Sequence, residues 1–125
     1  MNLILKPDQV DINKILYITD NPDMNTTTNT NIIYKDTLFT LNSIYILVKL
    51  NSNNFTKNNY IAKSDLSQLV NLEYNILQNK NKYPLYNIKN QIYNTIKDSK
   101  LIYIYINITG IWENKTQCGL LYNII

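Results

Sequence analysis

The sequence has no histidine, no arginine, one cysteine, one alanine and two glycines in 125 residues. Each shortage removes a class of function. Without histidine there is no Ser/His or Cys/His catalytic pair, no imidazole metal ligand and no side chain that changes charge near neutral pH. Without arginine there is no bidentate guanidinium clamp for phosphate or carboxylate. Two glycines, Gly110 and Gly119, cannot build a phosphate-cradling loop; they are expected where strands bend or backbones approach closely, opposite each other beside a hairpin turn. The single Cys118 cannot form an internal disulfide. With no histidine to activate it, it reads as a small apolar strand residue of an intracellular protein. The longest apolar run, residues 101–106, falls far short of the roughly 20 residues of a membrane helix, and residues 1–7 lack the regions of a secretory leader. No membrane span is expected.

What is plentiful is Asn (22), Ile (20), Leu (15), Lys (12) and Tyr (11). Asn, Ile, Lys and Tyr have AT-rich codons, and the scarce Arg, Ala and Gly mostly GC-rich ones, so part of this composition reflects the genome. The net charge of +3 is mild beside the dense basic clusters of duplex binders. Sequons occur at Asn25, Asn54, Asn107 and Asn114, where chance alone gives about three, so they carry no glycosylation signal. A metal site would have to draw on Asp8, Asp11, Asp20 and Asp23, which lack calcium-loop spacing. Neither a metal nor another cofactor is expected, and the chain reads as non-catalytic.

Placement says more than composition. Residues 3–5 and 15–19 are short apolar runs suited to edge strands. Residues 20–31 (DNPDMNTTTNTN) and 51–59 read as mobile Asn-rich loops, with strands between them over 32–41 and 44–49. Ser64 can cap a helix over about 64–81, with Asp65 well placed against its dipole. Leu66, Leu69, Val70, Glu73, Ile76 and Leu77 recur at three- and four-residue spacing on one face, all apolar but Glu73. After Pro84, residues 87–97 suit a second short helix, with a strand as its rival. From residue 101 to 113 strict alternation puts Ile102, Ile104, Ile106, Ile108, Gly110 and Trp112 on one face, and Tyr103, Tyr105, Asn107, Thr109 and Ile111 on the other. A polar turn at 113–116 then returns the chain through 117–125, making 101–125 a C-terminal hairpin. The whole of 1–125 reads as one α+β, β-rich domain, an antiparallel sheet or OB-like barrel with one main helix.

The hairpin GIWENKTQCGLLY resembles the C-terminal signature of an uncharacterised family of small proteins from nucleocytoplasmic giant DNA viruses. Residues 69–77 and 86–92 are similar to runs upstream of that hairpin, so the resemblance covers roughly residues 66–125. Some such proteins look like distant relatives of OB-like single-stranded-DNA-binding proteins. Asn123 departs from the pattern, standing where a lysine is common. The resemblance implies a viral protein working in the host cytoplasm, in the viral factory, or in the virion.

A binding sheet face needs aromatics on which bases stack and lysines that follow the phosphates. Tyr103 and Tyr105 share a strand face with Lys100 before them, Tyr45 and Lys49 suit a neighbouring strand, and Lys115 sits in the turn. These six residues are the candidate contacts for non-specific single-stranded nucleic acid. Half-buried packing is the rival reading for the tyrosines, and Trp112, on the isoleucine face, reads as core. The alternative function is a structural or assembly protein of the particle, contacting other viral proteins or itself as a homo-oligomer through an exposed strand edge.

Overall fold

Alternating isoleucines set the middle of the structure. Strand β9 (Leu101–Glu113) pairs antiparallel with β5 (Ile44–Asn51) on one side and β10 (Gln117–Ile124) on the other. The computed structural model describes all residues except 1–2, 20–27, 52–54, 57–58, 61–64, 79 and 97–100. Ile44 lies opposite Ile108, Ile46 opposite Ile106 and Val48 opposite Ile104, and all six are buried. Each such burial is worth about 2 kcal/mol, so a one-residue slip that turned this set to solvent is strongly disfavoured.

Shorter strands extend the sheet. Strand β1 (Ile4–Leu5) lies parallel beside β5, and β8 (Tyr83–Leu85) parallel beside β10. Strands β2 (Ile15–Thr19), β3 (Thr28–Lys35) and β4 (Thr40–Leu41) form an antiparallel wing, joined where β3 replaces β5 as the neighbour of β9 at residues 110–113. Strands β6 (Phe55–Thr56) and β7 (Asn59–Tyr60) make a separate two-stranded ladder. The α+β, strand-rich class is as expected, and the sheet is open and mixed. It is mixed because long connections, which parallel pairing requires, separate β1 from β5 and β8 from β10.

Helix α1 packs against β5 and β10, helix α2 packs against α1, and both bury their apolar side chains in the core that holds the strand isoleucines. Helix α1 (Asp65–Leu77) buries Leu66, Leu69, Leu72, Glu73, Ile76 and Leu77, and α2 (Ile88–Ile96) buries Ile88 and Ile92. The expected cap at Ser64 lies outside the described residues. Asp65 instead accepts the backbone N–H of Lys49 at 2.9 Å, tying the helix start to β5. Helix α1 stops four residues before the expected 81, because residues 78–82 offer no apolar side chain and asparagine is a weak helix former. The chain turns there, and Lys80 and Lys82 reach Glu113 at 3.7 and 3.4 Å.

Two stretches expected as loops are partly strand. Thr28, Asn29, Thr30 and Asn31 belong to β3 and pair with β9, and Thr30 is fully buried. Nothing in their own polar composition favours this; the pairing groups of β9 left open beyond β5 recruit them. Within 51–59, Asn51 ends β5, and β6 with the first residue of β7 occupies 55–56 and 59. The mobility expected at 20–27, 52–54 and 57–58 concerns residues outside the described set.

The hairpin has the expected bounds but not strict alternation. Leu121 faces Gly110 and Tyr122 faces Ile108, so Thr109 is an extra residue, a β-bulge, and its hydroxyl donates to the carbonyl of Leu121 at 3.3 Å. One extra residue exchanges the faces of everything after it. Ile111 is therefore buried and Trp112 is only half-buried, the reverse of the alternation reading. The glycines are not opposite each other: Gly110 faces Leu121, and Gly119 faces Trp112. In the turn, the Asn114 side-chain oxygen accepts the N–H groups of Thr116 and Gln117 at 3.0 and 2.8 Å.

One ion pair ties the wing together. Lys14 Nζ donates to Asp36 Oδ2 at 2.7 Å, joining the turn before β2 to the end of β3. The Lys14 contact, helped by Thr37, holds the Asp36 carboxyl down at about 2, from its usual 3.8. A depressed carboxylate contributes stability that is present above pH 3.8 and lost as pH falls toward 2. Melting curves across that window should show a steeper acid loss for the native protein than for Asp36→Asn; parallel curves would refute the assignment.

Candidate nucleic-acid interface

The face of β5 and β9 turned away from the helices carries four of the six expected contact residues. Lys49 lies opposite Tyr103, Leu47 opposite Tyr105, and Tyr45 opposite Asn107. Directly opposed residues on one face sit about 5 Å apart and next-but-one residues along a strand about 7 Å apart, so these side chains form one contiguous patch. Tyr103 is 56% and Tyr105 40% exposed, Lys49 is exposed, and Tyr45 and Leu47 are half-buried. Exposed Ile4, opposite Tyr45 on β1, and Ile125, whose N–H donates to the Tyr105 carbonyl at 2.8 Å, border the patch. The side-chain oxygen of Asn107 is buried with no hydrogen-bond partner among the described residues.

The other two expected contacts are not brought there. Lys100 lies outside the described residues. Lys115 is exposed in the hairpin turn, about 30 Å along the strand direction from Tyr105. Lys14, Lys80 and Lys82 are engaged by Asp36 and Glu113, and Lys80 also lies over the Tyr17 ring, 5.9 Å from its centroid. The patch is therefore aromatic and apolar first and cationic second.

No family model, curated protein or solved structure matches this chain.

A second site, a pocket, was not anticipated from the sequence. Strand β8 pairs with β10 only at residues 117–119 before the chain leaves for α2. Where they part, a pocket of about 570 Å³ opens, lined by Glu73, Tyr83, Tyr86, Asn87, Trp112 and Tyr122 among others. Glu73 is 2% exposed, and its carboxylate accepts the backbone N–H groups of Asn87 and Ile88, at the start of α2, at 3.2 and 3.4 Å. Burial pushes its pKa up, against the pull of those two bonds. The signal that could have found it is the one carboxylate in the apolar stripe of α1. Cys118 belongs to the core, and burial pushes its thiol pKa up. No described helix is long and apolar enough to cross a membrane.

Proposed function

We propose that the chain is a non-catalytic binding protein that takes single-stranded nucleic acid, without sequence preference, on the open face of β5 and β9. The observation that carries this reading is the register placing Lys49 beside Tyr103, and Leu47 beside Tyr105, on an exposed face. A sheet presenting aromatics is a platform on which unpaired bases stack, and every base has a face that can use it. The resemblance of GIWENKTQCGLLY to a giant-virus family suggests the setting, the viral factory or the particle.

Titration of a labelled oligothymidine tests it. Each phosphate neutralised on a single strand adds about −0.7 to the slope of log K against log salt. With Lys49 as the described lysine that the β5–β9 ladder brings to the patch, the slope should be shallow, about −0.7. No binding at low salt would refute the proposal.

Self-assembly is the second reading. Strand β2 pairs on one side only among the described residues, and Leu16, Tyr17 and Ile18 on it are exposed. Such an edge is a template for another chain. A stable oligomer by size-exclusion chromatography, with no oligonucleotide binding, would favour it.

A further inference from the structure

The pocket between β8 and β10 has a chemistry of its own. Its wall holds four aromatic residues, Tyr83, Tyr86, Trp112 and Tyr122, and its lining includes Glu73. Aromatic faces carry negative charge and attract cations. Glu73 has no ion-pair partner among the described residues; its carboxylate accepts two backbone N–H groups at 3.2 and 3.4 Å. Those lengths exceed the 2.7–2.9 Å typical of charge-assisted bonds. The start of α2 supplies the equivalent of about half a positive charge, which leaves the ionised form of Glu73 incompletely balanced, so a cation in the pocket would favour that form against the upward push of burial. Capping α2 therefore explains where Glu73 points without neutralising it. The volume, about 570 Å³, suits a small ligand or a single long side chain.

We propose that this pocket binds an alkylammonium group, the aromatic rings surrounding its methylenes and cationic head while Glu73 supplies the counter-charge. The site is separate from the tyrosine patch, and neither reading depends on the other. The ammonium can come from a free amine or from a lysine side chain of another protein, and the two sources are distinguishable.

Trp112 makes the test direct, because it is the one tryptophan in the chain and it lines the pocket. Its fluorescence should change saturably on titration with 1,4-diaminobutane, with a Kd on the order of 1 mM, and not with the neutral isostere 1,4-butanediol. A capped Gly-Lys-Gly peptide is the second probe; whichever of the two ammonium probes binds more tightly identifies the source. Glu73→Gln keeps an acceptor oxygen for the N–H groups of α2 and removes the charge, and should weaken binding about tenfold or more. If circular dichroism shows that this variant does not fold, Tyr86→Leu on the exposed wall replaces it, with an expected weakening of about two- to fivefold. An equal response to diamine and diol, no saturable response to either ammonium probe, or unchanged affinity in the folded variant would overturn the proposal.

Discussion

Replacing Tyr103 and Tyr105 together by alanine should weaken oligothymidine binding by about 2–6 kcal/mol, since each stacked base is worth about 1–3 kcal/mol by such truncation. The effect should be large because the two rings lie on one strand face, flanked on β5 by apolar Leu47 and by Lys49, the one charged neighbour the register places there. Both rings are substantially exposed, so their removal takes little from the core, and the melting temperature should move by only a few degrees. That separation of binding from stability is the useful readout. Were the tyrosines there for packing, the double variant would lose stability and keep whatever affinity the protein has. Single variants should each show about half the loss in free energy if the two rings act on separate bases. Lys115→Ala, at the far hairpin turn, should leave affinity unchanged, and a loss there would require a much longer binding track than the patch supplies.

Gly110→Ala should be the most destabilising small substitution in the hairpin, by about 3 kcal/mol. A β-carbon at residue 110 would collide with the carbonyl oxygen of Thr30 and lie 3.2 Å from its carbonyl carbon. Both are backbone atoms of β3, so relief requires moving a strand that also pairs with β2 and buries Thr30 and Ile32. Gly119→Ala is the natural comparison. There the added carbon would meet the Trp112 indole, with Cε2 at 2.6 Å, but a half-buried side chain can swing aside. Its cost should be about 1 kcal/mol, accompanied by a shift in tryptophan emission as the ring leaves its place. Urea unfolding of the two variants separates the cases. Equal losses would mean that β3 yields as readily as a side chain, and that the β3–β9 junction is not a rigid part of the fold.

The tyrosine patch was legible in the sequence because period-two alternation over residues 103–108 is intact, and Tyr45 and Lys49 keep the same parity in their own strand. Inward isoleucines and outward tyrosines need no long-range information to be told apart. The same logic fails at Thr109, where one unpaired residue moves Ile111 inward and Trp112 outward. A bulge is chosen by the partner strands and leaves only a weak local mark, here a glycine beside a threonine. Thr28 to Asn31 were illegible for a related reason: a polar stretch becomes strand when unpaired groups on β9 await it. Glu73 is the intermediate case. Its place in an apolar helix stripe was visible, but its role depends on α2 arriving with free N–H groups.

By itself the sequence determined the strand-rich class, the two helices to within a few residues, the C-terminal hairpin and the face on which its tyrosines stand, all of them consequences of local periodicity. Only the tertiary structure decided the open mixed sheet, the handover from β5 to β3 along β9, the bulge that turns Trp112 out of the core and the pocket that gathers it with Glu73. Those features arise between segments far apart in the chain, where hydrogen-bonding groups left open by one element are satisfied by another, and no window of neighbouring residues records that exchange.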